Sequence, residues 1–505
     1  MNKMTSSLIA LIAVLTLGYL YFNGIGNSDI PDDNSYLFWG GSKNAHHVFN
    51  RMISEQNHVA WSTGYHTGSP VPLGAVGPKK YTDKLQGMIQ NTEISKVLKE
   101  AVGDGVNVIL LIGDGMGISL LSMPIYHNIA KGSEEKTYFE IIMNEGISSF
   151  VLNHPYGEIV PSSATSATSI ACGSKTRVGM IGVDHDGYEL KSILDVAEEK
   201  GMVTGLITES TIVDATPVGF YGHSSNRHDF LTFAEQLVYD NDIELIFSGG
   251  GAYFIPQKSR LSEMEGFEDL NSDLDQISQR IDDKNLLKDA SSKGYKLVNT
   301  REELLSLDAK SKKIFGIFAA NAMNSTIDRD NEATGEPSLV EMTQKGIEIL
   351  SNSTAGFFLM VEEARIDFEA HDNDAGAVLK AVTEFNEVVG AGYNYYASNK
   401  ENTLIVFTAD HETGGMSFTY FGIPKDERIP LQLPSGKEYI RKLSSLTFEE
   451  YLTISNQNKS IYKIFLEADT PEHLLELLLN NSGYDISIEE AEQLFPLIQK
   501  YKKGK

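Results

Sequence analysis

Three short apolar runs in this chain each lead into a carboxylate. Asn107–Gly113 (NVILLIG) is followed by Asp114, Gly356–Val361 (GFFLMV) by Glu362, and Thr403–Thr408 (TLIVFT) by Asp410 after one alanine. The second run goes on to Asp367 and His371, four residues apart, a spacing that turns two side chains toward one point on a helix. The third adds His411 directly after Asp410. Carboxylates mixed with imidazoles in this way make a zinc-ligating set. A further run, Pro161 to Ser169 (PSSATSATS), is small and hydroxyl-rich and leads into an expected helix. It reads as a Ser/Thr-rich turn, or as a helix start whose amides and dipole favour an anion. A serine there becomes a nucleophile toward phosphorus only if a base or metal lowers its pKa, which the strand-end ligands would supply.

Such residues need a scaffold that brings strand ends together. Runs this apolar are buried on both faces, as in a parallel sheet covered by helices, and open α/β sheets place their sites at the carboxyl ends of strands. Gly201–Thr208 and Glu244–Ser248 read as further strands, with amphipathic helices such as Leu190–Lys200 and Val340–Leu350 between them. The expected fold is α/β: a three-layer sandwich with a central, mostly parallel sheet, plus a helical insertion subdomain. Residues 259–307 are charged and read as a helical excursion over the active face, and residues 421–505 as polar loops and acidic helices such as Pro471–Asn481.

The 505 residues carry 42 Lys and Arg against 69 Asp and Glu, a net charge of −27. That field repels nucleic acid and anionic lipid, so nucleic acid is excluded as a partner. Hydrophobic residues at 41% suffice for a large core. The single cysteine, Cys172, permits no intrachain disulfide. Lys3 and the apolar stretch from Leu8 to Phe22 read as a secretory signal over residues 1–26, with Gly24-Ile-Gly26 as a cleavage site, or as an uncleaved membrane anchor. The expected location is therefore exported, periplasmic or extracellular.

Taken in chain order, Gly113-Asp114-Gly115-Met116-Gly117, Ser163-Ala164-Thr165-Ser166-Ala167-Thr168, Asp214-Ala215-Thr216-Pro217, Val361-Glu362 with Ile366-Asp367 and His371, and Thr408-Ala409-Asp410-His411-Glu412-Thr413-Gly414-Gly415 resemble the alkaline phosphatases. The resemblance spans roughly residues 57–420 and implies hydrolysis of small phosphate monoesters through a phosphoserine, with two zinc ions and one magnesium ion. It implies that Ser163 is the nucleophile and that Asp114, Asp410 and His411 hold the zinc that activates it, with Asp114 bridging to magnesium. Thr216 and Glu362 would complete the magnesium site, Asp214 would support it through water, and Asp367 and His371 would hold the second zinc. Arg227 resembles the arginine that clamps phosphate oxygens, a task suited to its planar fork. A homodimer is expected.

The chain departs from the pattern in three places. The family takes a further zinc ligand from a His-Thr-Gly segment near its C-terminus, and here the matching segment, His66-Thr67-Gly68 within residues 57–100, precedes the first strand. A circular permutation is expected, with His66 rather than the late His473 completing the second zinc site. Ser162 stands where the family has an aspartate that orients the arginine, and Phe368 where other members carry lysine, histidine or tryptophan. The expected layout is a signal or anchor (1–26), a linker and insertion remnant (27–56), a catalytic domain (57–420) and a lid or dimer-contact subdomain (421–505). A phosphodiesterase or sulfatase on the same scaffold, and a non-catalytic exported metal-binding protein, are the competing functions.

Overall fold

The structure, a computed structural model, describes residues 45–503 apart from 269, 333 and 424. The signal or anchor expected over residues 1–26 lies outside the described residues. In chain order the first strands are β1 (Val59–Trp61), β2 (His66–Thr67), β3 (Val71–Val76), β4 (Gly87–Gln90), β5 (Asn107–Gly113) and β6 (Ile147–Leu152). They are followed by β7 (Val203–Thr211), β8 (Leu245–Gly249), β9 (Lys296–Val298), β10 (Ile314–Ile317), β11 (Phe357–Glu363) and β12 (Thr403–Thr408). Short strands complete the set: β13 (Glu412–Thr413), β14 (Met416–Phe418), β15 (Tyr420–Gly422), β16 (Pro430–Gln432), β17 (Glu438–Ile440) and β18 (Leu443–Ser445).

The three apolar runs are neighbouring strands in the middle of one ten-stranded sheet, in the order β4-β6-β3-β12-β5-β11-β7-β8-β10-β9. Every residue of β5, β11 and β12 is buried, as expected of a sheet covered on both faces. The sheet is parallel except at β3, which runs antiparallel to both β12 and β6. Ile112 of β5 is opposite both Glu362 of β11 and Thr408 of β12, so this register delivers Asp114, Glu362 and Asp410 to the same edge of the sheet. Crossover helices supply the outer layers, including Ile193–Glu199, Leu339–Leu350 and the long helix Ala375–Ser398, whose buried side packs on β12 and β5.

Parts of the chain depart from the sequence expectation. Residues 45–56, expected within a linker, belong to the helix Ala45–Asn57, which packs on the C-terminal helix Ile488–Lys503. The stretch 259–307 is only partly helical, with short helices at Leu286–Ser292 and Arg301–Ser306; between them β9 joins the main sheet as its edge strand. From 420 to 445 the chain forms two-stranded ribbons, β15 with β18 and β16 with β17, before the helices between 448 and 503 begin. Short strands with exposed apolar residues carry no long apolar run, so composition gave no sign of them.

Leu110 lies at the centre of β5 with no exposed surface. Leu110→Ala is expected to cost about 2–5 kcal/mol, read as a lowered denaturation midpoint.

Candidate metal centre and active site

Beyond β5 the chain turns through Gly115, whose φ of 75° suits glycine and whose added Cβ would lie 2.8 Å from Asp367 Cα. That close approach sets the Asp114 loop against the helix Arg365–His371, which presents Asp367 and His371. Beyond β12, the Asp410 carboxylate accepts from the amides of Gly115 (3.1 Å) and His411 (2.7 Å). The segment carrying His66 arrives from far away in sequence: β2 pairs with β13, placing His66 opposite Thr413, and β1 pairs with β14.

Three imidazoles are held in the same way. His66 Nδ1 donates to Pro161 O (3.1 Å) and His371 Nδ1 to Gly64 O (2.7 Å), while His411 Nδ1 lies 3.2 Å from Thr413 Oγ1. Tethering Nδ1 leaves each Nε2 to point inward. His66 Nε2 and His371 Nε2 are 3.1 Å apart, and they lie 3.8 Å and 3.3 Å from the Asp367 oxygens. His411 Nε2 lies 3.1 Å from Asp410 Oδ2, 3.5 Å from Asp114 Oδ1 and 3.2 Å from Ser163 Oγ. Two donor groups result, His66 with Asp367 and His371, and Asp114 with Asp367 and His411, each with its donor atoms within 4.8 Å of one another. The structure thus brings together His66, Asp367 and His371, whereas His473 stands on a remote helix, partly exposed, 4.0 Å from Asp469.

Ser163 is the first residue of the helix Ser163–Cys172, so its hydroxyl stands where amides and dipole favour an anion. Ser162 caps that helix and turns inward on it: its amide donates to Thr165 Oγ1 (3.0 Å), and its own hydroxyl lies 3.4 Å from the same atom. The Arg227 guanidinium lies 3.5 Å from Asp214 Oδ1, and its buried Nε has no hydrogen-bond partner among the described residues. Asp214 is held by Ser210 Oγ (2.8 Å) and caps the helix that carries Thr216. Thr216 Oγ1 is buried without a well-formed hydrogen bond, yet it lies close enough to Glu362 to favour that carboxylate's ionised form. Phe368 contributes no polar group and packs under Arg365, whose guanidinium carbon is 5.2 Å from the ring centre.

The electrostatics are those of a cation site. Burial, reinforced by Asp410, pushes Asp114 well above the usual carboxylate range; burial and Asp367 push Asp410 up to about 7, and burial pushes Glu362 up to about 8. Burial also opposes charge on Asp367, but the surrounding imidazoles, His371 first, outweigh it and hold Asp367 well below that range. Burial works against charge on His371 as well, yet Asp367 prevails and raises it to about 9. Burial keeps His66 and His411 low. Among the described residues Asp114 Oδ1 and Asp410 Oδ2 are buried without a hydrogen-bond partner, a state that cations would relieve. The residues present therefore fit metal ions.

A family model described as alkaline phosphatase matches residues 106–460. The chain belongs to the alkaline phosphatase family. It is 30% identical over 360 residues to alkaline phosphatase 3 of Bacillus subtilis, covering 70% of this chain and 71% of that protein. It is also 30% identical over 382 residues to the human tissue-nonspecific isozyme, covering 68% and 70%. The crystal structure of the Thermus thermophilus alkaline phosphatase superposes with a TM-score of 0.61 at 25% identity, covering 78% of this chain and 75% of that one. This protein is accordingly a phosphatase of a metal-dependent family, acting on phosphate monoesters. The family match extends past residue 420, into the ribbons and helices expected to be a separate subdomain.

The sequence reading missed several neighbours of the site. Thr413 hydrogen-bonds Asp367, Thr208 hydrogen-bonds Glu362, and Thr67 hydrogen-bonds Glu412. Thr413 and Thr67 lie within motifs that carry the family resemblance, which marks them as neighbours of the site but does not indicate the carboxylates they bind.

His66→Ala should lower the metal bound per chain, whereas His473→Ala should leave it unchanged, as measured by elemental analysis after dialysis. A protonated imidazole cannot ligate, so metal binding must displace the proton from His371. Metal affinity should therefore rise with pH toward about 9 and fall as the medium is acidified, which chelator competition across that range will show.

Proposed function

We propose that the protein hydrolyses phosphate monoesters with Ser163 as the nucleophile, through a phosphoserine intermediate. The observation that carries this reading is the position of Ser163 Oγ, at a helix N-terminus and 3.2 Å from His411 Nε2, beside the converging imidazoles and carboxylates. Zinc held by Asp114, Asp410 and His411, zinc held by His66, Asp367 and His371, and magnesium beside Thr216 and Glu362 would supply nucleophile activation and charge neutralisation. Arg227 binds two oxygens of the phosphoryl group and aligns it with the serine. Ser163 Oγ attacks phosphorus as the bond to the ester oxygen breaks, and the alcohol departs. Water then attacks the phosphoserine, restoring Ser163 and releasing inorganic phosphate. The two displacements are in line, so the serine and the leaving oxygen stand on opposite sides of phosphorus.

Local charge outweighs the global −27, because the phosphoryl group meets Arg227, the helix N-terminus and the cations at contact range. Asp214 steadies Arg227 from 3.5 Å, while Ser162 spends its hydrogen bonds within its own helix cap. This supports a clamp with one orienting carboxylate fewer than the family pattern. The circular permutation belongs to the same reading and is supported by the pairing of β1 and β2, which precede β5 in the chain, with β14 and β13, which follow β12. Export behind the apolar stretch of residues 8–22 is likewise part of it. So is a homodimer, for which Ile429, Leu431 and Tyr439 of the ribbon expose apolar surface.

Ser163→Ala should abolish phosphoenzyme labelling and lower turnover of a chromogenic monoester by at least a thousandfold, while metal content stays near that of the parent. Diester and sulfate turnover, measured alongside, should remain minor in the parent. Ser162→Asp should lower the phosphate inhibition constant several-fold, because it supplies a second carboxylate to Arg227.

A further inference from the structure

Glu363 follows Glu362 at the end of β11 and has no exposed surface. Its carboxylate accepts from the amides of Arg365 (3.2 Å) and Ile366 (3.0 Å), the first two residues of the helix Arg365–His371. A seven-residue helix is not stable by itself, and its first amides need acceptors from outside the helix. Asp367 is the third residue of this helix and His371 its last, so the seating of the first turn sets the direction of both donor side chains. The backbone carbonyl of Glu363 also accepts from the amide of Asp114 (2.9 Å). One residue thus touches the chain beside Glu362, Asp114 and Asp367.

A buried charged cluster stands behind Glu363. The Glu363 carboxyl group faces that of Glu209, the residue after Thr208, and among the described residues Glu209 Oε2 forms no hydrogen bond. Arg329 Nη1 binds Glu209 Oε1 at 2.6 Å, and Arg329 Nη2 binds Glu384 Oε2 at 2.5 Å. The other Glu384 oxygen accepts from the amide of Leu339 (2.9 Å), at the start of a further helix. Glu209 and Glu363 are fully buried, and Arg329 and Glu384 nearly so. A buried ionic network is weak evidence for stability, and its better-attested use is to fix one geometry among several.

We propose that Glu363, backed by Glu209, Arg329 and Glu384, is a positioning residue that seats the helix Arg365–His371 and so aims Asp367 and His371 at the metal they share with His66. The proposal rests on the metal-dependent reading of the site. Productive ligand sets tolerate displacements of only about 0.5 Å, and removing an outer partner of a metal site typically weakens the metal about 10–100-fold.

The test uses the full chain with Glu363 replaced by Ala, Met or Asp, and titrates zinc against a chromogenic chelator alongside the thermal midpoint, kcat and KM. Glu363→Ala should bind one zinc per chain about 10–100-fold more weakly, with a reduced kcat that recovers as free zinc is raised. Glu363→Met keeps the length but offers neither amide an acceptor, so it should show the same weakening even if the alanine variant fails to fold. Glu363→Asp keeps two acceptor oxygens, and a shorter carboxylate still caps amides two and three residues ahead, so it should recover most of the affinity. Parent-like zinc binding in both the alanine and methionine variants, or in the methionine variant alone if alanine does not fold, overturns the proposal. So does weakening in aspartate equal to that in methionine. Chelator competition is independent of turnover, so a parent chain that binds zinc without hydrolysing monoesters would overturn the phosphatase mechanism and leave this result to stand.

Discussion

Several carboxylates are forced into one dry place, and much of this structure can be understood as the means of doing so. Asp114, Glu362, Asp367 and Asp410 are all nearly or wholly buried, and among the described residues Asp114 Oδ1 and Asp410 Oδ2 form no hydrogen bond, although His411 Nε2 stands beside both. Burying unpaired charge in this way is costly. Burial raises the pKa values of Asp114, Asp410 and Glu362, and Asp367 favours the charged form of His371. Divalent cations, on the proposed reading, would remove the conflict directly and make the same arrangement a pre-formed ligand set.

The scaffold makes this possible because β5, β11 and β12 are parallel and in register. Their hydrogen-bonded interior is apolar and rigid, and each strand releases its polar residue only at the shared edge. The turn through Gly115 brings the Asp114 loop to van der Waals distance of Asp367. Each imidazole is then oriented from its outer nitrogen, two of them by backbone carbonyls and one by a threonine hydroxyl. Backbone carbonyls are firm partners because the fold fixes them, so ring direction does not depend on other flexible side chains.

The phosphate side of the site is arranged more loosely. Ser163 is fixed by the helix it begins, whereas Arg227 is steadied by one carboxylate at 3.5 Å and, among the described residues, has an unpartnered Nε. In the proposed mechanism, firmly held metal ligands beside a less constrained clamp would divide the work, with charge neutralisation from the centre and alignment from the arginine. The strongly negative surface does not oppose this, since screening confines distant charges to about a Debye length while the site acts at contact.

The sequence by itself determined the central strands and the carboxylates that end them, because a strand buried on both faces must be apolar throughout and its first polar residue marks where it leaves the core. It also determined the four-residue spacing of Asp367 and His371 and, through motif resemblance, the family. Motif resemblance also pointed to His66 as the partner of Asp367 and His371, but its position 3.1 Å from His371 across 305 residues depends on the tertiary structure, because the pairing of β2 with β13 is a long-range match between strands of two residues each. The hydrogen bonds of Thr413 to Asp367 and of Thr208 to Glu362, and the contacts of Arg329 with Glu209 and Glu384, were not legible in the sequence, because hydrogen bonds between distant side chains leave no periodicity. The ribbons between 420 and 445 and the edge strand β9 were misread because short, partly exposed strands have the composition of loops, and only their partners make them strands.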